Sequence, residues 1–282
     1  MARDASTQPG YAPTEVDSIL DGLLRQRSVH VRGRPWIVGL SGLQGSGKST
    51  LSDQLATAAN ARGIGSRVLA LDDFYLGRRA RLRLSRSAHP LLGTRGVPGT
   101  HDSALLGHVL DGLADANTRH PVCIPRFDKG RDTRLPPSRW RLVDRSPQLV
   151  ILEGWCVGVP AEAARALATP LNALERDEDR DGRWRRWVNA RLGAEYAALW
   201  RRLDRLVMLE APGFAVVTRW RDEQECALRR RRAPQAMNAT ALQRFLMHYE
   251  RLSRHALRVL PALADLRVQL RPDRTVQDIV AR

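Results

Sequence analysis

One octapeptide constrains this chain more than any other feature: Gly42-Leu-Gln-Gly-Ser-Gly-Lys48-Ser49. It fits the spacing G-x-x-x-x-G-K-[S/T], and it directly follows the apolar run Trp36-Ile-Val-Gly-Leu40. Such a loop works only between a strand and a helix, because backbone N–H groups and the helix N-terminus must surround a phosphate together. The sequence therefore predicts a strand at Trp36–Leu40, a phosphate loop, and a helix from Lys48 to about Arg62. Gly42, Gln44, Gly45, Ser46, Gly47, Lys48, Ser49 and Thr50 are the candidate nucleotide contacts. Lys48 is suited to the β- and γ-phosphates of a nucleoside triphosphate, and the Ser49 hydroxyl to Mg²⁺.

Strands and helices alternate after this point. Apolar runs at Val68–Leu71, Leu149–Leu152, Leu206–Leu209 and Leu266–Leu270 read as strands. Helical stretches are expected at Ala104 to about Asp115, Asn189–Leu203 and Phe214–Arg232. In another helix Leu242, Phe245, Leu246, Tyr249, Leu252, Ala256 and Val259 mark one face. This alternation predicts an α/β fold of the P-loop nucleoside-triphosphatase type: a mainly parallel central sheet with helices on both faces. Residues 1–35 read as a tail and a helix, with Thr14 as its N-cap, and 36–282 as the nucleotide-binding domain. The charged stretch Glu175–Arg186 reads as a solvated insertion.

Composition narrows the partner. Lysine and arginine together number 46 against 30 acidic residues, a formal charge of +16. That excess suits an anionic small molecule or a nucleic acid. All but two of the basic residues are arginine, a drift that makes the total charge weak evidence and draws attention to Lys48 and Lys129. No apolar run is long enough to cross a membrane, and the first thirteen residues lack the apolar segment of a signal peptide. Cys123, Cys156 and Cys226 are too scattered for a disulfide framework or a zinc site. The expectation is a cytoplasmic protein.

Ligands in open parallel sheets collect at the carboxyl ends of strands. Asp72 and Glu153 both stand there, and a phosphoryl-transfer site needs one carboxylate for the acceptor hydroxyl and another near the metal. Either acid alone reads equally as a cap or a solvated loop residue, and Asp73 as a cap of the following turn. The turn-rich segment Arg95-Gly-Val-Pro-Gly-Thr-His101-Asp102 presents His101 and Asp102, although Asp102 is equally placed to cap the next helix. Arg126 and Lys129, in Pro125-Arg-Phe-Asp-Lys129, are candidates for an anionic acceptor, against ordinary surface charge.

The segments GLSGLQGSGKST, LDDFYL, GVPGTHD, PRFDK, LEGW and WRDEQE occur in that order. Together they resemble the D-glycerate 3-kinase family of plants and fungi with its bacterial relatives, and more distantly the phosphoribulokinase, uridine kinase and pantothenate kinase group. The resemblance implies Mg²⁺-dependent transfer of the ATP γ-phosphoryl group to a small hydroxy acid. By that likeness Asp72 is the acceptor-activating aspartate and Glu153 the carboxylate near the metal, with Ser49. Tyr75, His101, Asp102, Arg126 and Lys129 stand as the candidates beside Asp72 around the acceptor, and the likeness assigns Arg219 and Arg221 to a lid around 214–235 whose arginines neutralise the transferring group. The run Arg229–Arg232 reads equally as lid or as solvated face. No role maps onto Arg78–Arg86, which holds five arginines and no acid.

Two other readings stay open. One is a kinase for another small metabolite, a nucleoside or a pantothenate-like alcohol. The other is a nucleotide-dependent protein acting on nucleic acid, which is disfavoured because no stacking aromatics accompany the arginines.

Overall fold

Trp36–Gly42 (β1) is buried along its whole length, because a parallel neighbour lies on each side and helices cover both faces. The structure, a computed structural model, describes residues 10–25, 33–230 and 237–282. In chain order the other elements are α1 (Pro13–Arg25), α2 (Lys48–Ala61), β2 (Ser66–Ala70), α3 (Arg78–Ser87) and α4 (Ser103–Asp115). Four short strands follow: β3 (Val122–Ile124), β4 (Phe127–Asp128), β5 (Thr133–Arg134) and β6 (Arg141–Val143). Then come β7 (Leu149–Gly154), α5 (Ala173–Glu178), α6 (Arg183–Arg191), α7 (Ala197–Trp200) and β8 (Arg205–Glu210). The last four are α8 (Ala215–Arg230), α9 (Ala239–Val259), β9 (Leu266–Leu270) and β10 (Val276–Ala281).

The central sheet runs β10-β9-β8-β1-β7-β2, parallel throughout except for β10. Side chains alternate between two cores, as the two-residue period of a strand requires. Trp36, Val38 and Leu40 of β1, with Leu149 and Ile151 of β7, meet α1, α2, α8 and α9. Ile37, Val150 and Leu152 face the opposite core with α4 and α7. Truncating any one of these leucines to alanine costs about 2–5 kcal/mol. β7 stands between β1 and β2, so Glu153 is level with Leu40 on one side and Ala70 on the other. The phosphate loop, Glu153 and the end of β2 therefore open on one edge.

The expected strands and helices are present, with differences that have physical causes. Thr14 lies inside α1 rather than capping it; the Ala12 carbonyl accepts the first helical N–H groups, and Glu15 reaches back to the Ala12 N–H. The helix expected at Asn189–Leu203 begins earlier, at Arg183, and contains a π turn at Leu192–Tyr196. The solvated insertion expected at Glu175–Arg186 is instead packed into the fold. Glu175, Asp179, Trp184 and Arg185 are all buried there. Arg251 grips Glu175 with two hydrogen bonds of 2.7 and 2.6 Å, and Asp179 accepts from Arg185 at 2.8 Å. Pairing offsets the cost of burying these charges. Among the described residues no helix is long and apolar enough to cross a membrane.

Candidate active site

The phosphate loop takes its shape from glycines that no other residue replaces. Gly45 and Gly47 lie at φ +82° and +90°, in the left-handed region. A Cβ at Gly42 would stand 2.8 Å from Leu209 Cβ, and one at Gly45 only 2.7 Å from Trp220 Cβ. The helix α8 thus rests directly on the loop. Lys48 Nζ donates to the Leu43 carbonyl at 3.0 Å, folding the ammonium back over the loop. Burial pushes its pKa down, against the nearby carboxylates of Glu153 and Asp72. The Ser46 hydroxyl and both ends of the Gln44 amide are buried without partners among the described residues. Tyr11, ahead of α1, donates its hydroxyl to the Ser46 carbonyl at 3.0 Å and so supports the loop from outside.

Such a cradle fits a nucleotide triphosphate: close backbone, unpartnered polar groups and one ammonium at the start of a long helix. Ser49 Oγ donates to Glu153 Oε1 at 2.8 Å. Burial pushes the Glu153 carboxyl up, partly offset by Lys48. Among the described residues no three histidine, cysteine or acidic side chains gather as a metal cage. Mg²⁺ beside phosphates needs no such cage, because one or two protein oxygens plus phosphate and water complete its octahedron. Ser49 and Glu153 fit that role.

Beyond β2 the chain tightens into a 3₁₀ turn, Leu71–Phe74, whose apolar ends are buried. This turn separates the two adjacent aspartates. Asp72 Oδ2 lies 2.6 Å from Lys129 Nζ, and Asp72 Oδ1 accepts the Tyr75 hydroxyl at 2.7 Å. Burial alone would raise the Asp72 pKa; Lys129 and Tyr75 outweigh it and hold the carboxyl well below the usual range. The same pairing raises the pKa of Lys129. Asp73 accepts the backbone N–H of Phe127 at 3.1 Å, pinning β4 beside the turn.

The Tyr75 ring stacks on His101, centroids 4.6 Å apart, and meets Phe127 edge-on. His101 is 4% exposed, and burial pushes its pKa down to about 4 despite Asp72 nearby. Its Nδ1 meets the Tyr196 hydroxyl at 2.6 Å, while its Nε2 has no partner among the described residues. Two residues that sequence reasoning missed hold this corner together. One is Tyr196; the other is Arg134, whose guanidinium binds the carbonyls of Phe74 and Tyr75 and the Asp102 carboxylate.

Lys48, Ser49, Asp72, Tyr75, His101, Lys129 and Glu153 thus gather at one edge. Asp102 is placed otherwise: one oxygen caps α4 through the Leu105 N–H and the other binds Arg134, so the capping role prevails. Arg126 is half-buried, and its guanidinium makes no hydrogen bond or ion pair among the described residues. Arg95 is engaged by Asp132. On α8, Arg221 binds Gln224 and Glu225, its guanidinium lies over Phe245, and its charge is felt by Lys129. Arg219 is held instead at the β9–β10 turn by the Pro272 carbonyl. Arg229 binds Asp222 and the Met237 carbonyl; Arg231 and Arg232 lie outside the described residues.

No protein-family model matches the chain. It is 35% identical over 248 residues to the uncharacterized kinase mug58 of Schizosaccharomyces pombe, an alignment covering 83% of this chain and 84% of that one. It is 30% identical over 205 residues to the chloroplastic D-glycerate 3-kinase of Arabidopsis thaliana, covering 69% of this chain but 42% of the plant protein. The solved D-glycerate 3-kinase of Cryptococcus neoformans shares the fold, with a TM-score of 0.75 and 22% identity across 95% of this chain and 99% of that one.

Proposed function

Because the chain belongs to the D-glycerate 3-kinase family of P-loop kinases, and is thus a phosphotransferase acting on an alcohol, we propose that it phosphorylates D-glycerate to 3-phosphoglycerate at the expense of ATP. The observation that carries this reading is the Asp72 cluster: a carboxylate kept ionised by Lys129 and Tyr75 at the same edge as the phosphate loop. An acceptor placed there brings a hydroxyl to Asp72 and a carboxylate to the surrounding donors.

The residues divide the work. Backbone N–H groups of Gly45–Ser49 and the Lys48 ammonium hold the β- and γ-phosphates. Ser49 and Glu153 would hold Mg²⁺, which when bound would neutralise charge on those phosphates. Asp72 orients the acceptor hydroxyl toward the γ-phosphorus and takes its proton. In phosphoryl transfer this positioning, with electrostatic stabilisation, supplies most of the rate. Lys129, beside Asp72 and within electrostatic range of Glu153, is placed to follow the group as it transfers. Arg221 contributes charge from α8. Arg126, whose guanidinium has no partner among the described residues, is the candidate grip for the acceptor carboxylate, since a guanidinium binds a carboxylate with two parallel hydrogen bonds.

The test is ATP consumption by purified protein across hydroxy acids, nucleosides and pantothenate. D-glycerate should give the highest kcat/KM. A neutral nucleoside phosphorylated faster than glycerate overturns the assignment.

A further inference from the structure

We propose that Tyr196 fixes the protonation geometry of His101, so that the imidazole presents Nε2–H as a hydrogen-bond donor to an oxygen of the acceptor substrate. This rests on the reading above that the acceptor lies against Asp72.

The argument is a count of protons. The Tyr196 hydroxyl is fully buried and has one proton and two lone pairs. It accepts the Gly99 N–H at 2.9 Å and meets His101 Nδ1 at 2.6 Å. If Nδ1 carried the imidazole proton, the phenolic O–H would have to find another acceptor, and none is present among the described residues. If the phenol donates to Nδ1 instead, every group in the chain Gly99–Tyr196–His101 is satisfied. A neutral imidazole bonded in that way carries its proton on Nε2. Burial, which keeps the His101 pKa down at about 4, leaves the ring neutral at ordinary pH.

That Nε2–H is buried and has no partner among the described residues, unlike the great majority of buried polar groups. The ring bearing it is stacked on Tyr75, whose hydroxyl donates to Asp72. A donor left open two contacts from the activating carboxylate, on a residue only 4% exposed, is placed for a ligand atom with a lone pair. A carboxylate or hydroxyl oxygen satisfies it, whereas an N–H group at that point meets donor against donor. The pole therefore selects oxygen-rich acceptors.

Backbone features on both sides of the bond fit this purpose. Tyr196 closes the π turn Leu192–Tyr196 inside an otherwise α-helical run, and such turns occur frequently at functional sites. Opposite it, Gly99 lies at φ +91°, and a Cβ there would stand 2.3 Å from Trp187 Cζ3. The loop approaches α6 closely enough for its N–H to reach the phenol only because this residue is glycine.

The first measurement is the ¹⁵N spectrum of the imidazoles in the ligand-free wild type, with His101→Gln used for assignment. His101 should show a protonated Nε2 and a bare, hydrogen-bonded Nδ1; protonation at Nδ1 overturns the proposal. The second is kinetic. Tyr196→Phe should move the Nδ1 resonance to that of an unbonded nitrogen and raise the acceptor KM roughly 3- to 10-fold, as loss of a modest hydrogen bond predicts, with kcat and the ATP KM within about twofold. His101→Gln, which keeps a donor, should hold the acceptor KM far better than His101→Leu. An acceptor KM unchanged in Tyr196→Phe, or one that moves together with kcat and the ATP KM, overturns the assignment of a positioning role. The spectrum needs no substrate, and the kinetics use whichever acceptor is turned over. A failed glycerate assignment thus remains distinguishable from a failed tautomer.

Discussion

Lys129 Nζ and Asp72 Oδ2 lie 2.6 Å apart, joining one of the two lysines of the chain to a carboxylate in the 3₁₀ turn that follows β2. Asp72 is one-third exposed and the Lys129 side chain about two-thirds, so the pair stands at the mouth of the site. Its consequence is chemical more than stabilising, since exposed pairs contribute only about 0–1 kcal/mol.

Lys129→Met should therefore alter the pH profile more than the melting temperature. Lys129 and Tyr75 hold the Asp72 pKa low against burial, so in the wild type the acid limb of kcat due to Asp72 lies below the usual carboxylate range. Without the ammonium, burial acts less opposed and the pKa rises. A base works deprotonated, so the acid limb should move to higher pH. An unmoved limb in the kcat–pH profile would detach Lys129 from Asp72 chemistry.

Asp72→Asn should lower kcat by roughly 10²- to 10⁴-fold while leaving ATP affinity near wild type, because the phosphate loop is untouched. Asp73→Asn should affect packing of β4, through the Phe127 N–H, more than kcat. Steady-state kinetics with both variants settle the division of roles; a larger kcat loss in the second would reverse it.

Lys48→Arg keeps the charge but replaces a compact ammonium, folded against the Leu43 carbonyl, with a planar fork. Turnover should fall below a tenth of wild type, a barrier increase of more than ~1.4 kcal/mol. Retained turnover would mean that charge alone suffices at this position.

Arg126→Ala should raise the glycerate KM and lower kcat/KM roughly ten- to hundredfold, as removal of a charge-assisted contact does, with the ATP KM unchanged. Intact glycerate kinetics would place the carboxylate elsewhere.

Arg251→Leu tests the segment at Glu175. It leaves a fully buried carboxylate without its two-pronged partner, and breaking such a pair typically costs about 3–5 kcal/mol. Urea unfolding should report a loss of that size. A change near zero would show that Glu175 finds other partners or water.

The fold was largely legible because its signals are local. The strand at Leu266–Leu270 has the bounds read from its apolar run, and the helix after the phosphate loop begins at Lys48. The Glu175–Arg186 segment misled because pairing, rather than an apolar pattern, is what buries it. Its partner Arg251 lies on α9, far along the chain. Strand ends brought Asp72 and Glu153 into view, and turn chemistry brought His101. Tyr196 had no such signal: it sits in a helix, and only the π turn and Gly99 make it a neighbour of His101. Arg134 was hidden similarly, since a two-residue strand carries too little pattern to show that its side chain ties a distant turn. Asp102 had a local cap signal, and that reading prevailed.

Gly45 carries a constraint that no choice of side chain at the opposing position can relax. What a side chain there would strike is the Cβ and backbone of Trp220, atoms that any residue except glycine brings to that place. Shrinking the indole would leave the collision intact, and the φ of +82° opposes a side chain at position 45 for a separate reason. In a lineage of such chains position 220 is open to drift within its packing, whereas position 45 is closed by two independent barriers. Short of glycine at 220, release at 45 would require α8 to withdraw from the loop, and the positive φ would still oppose a side chain there.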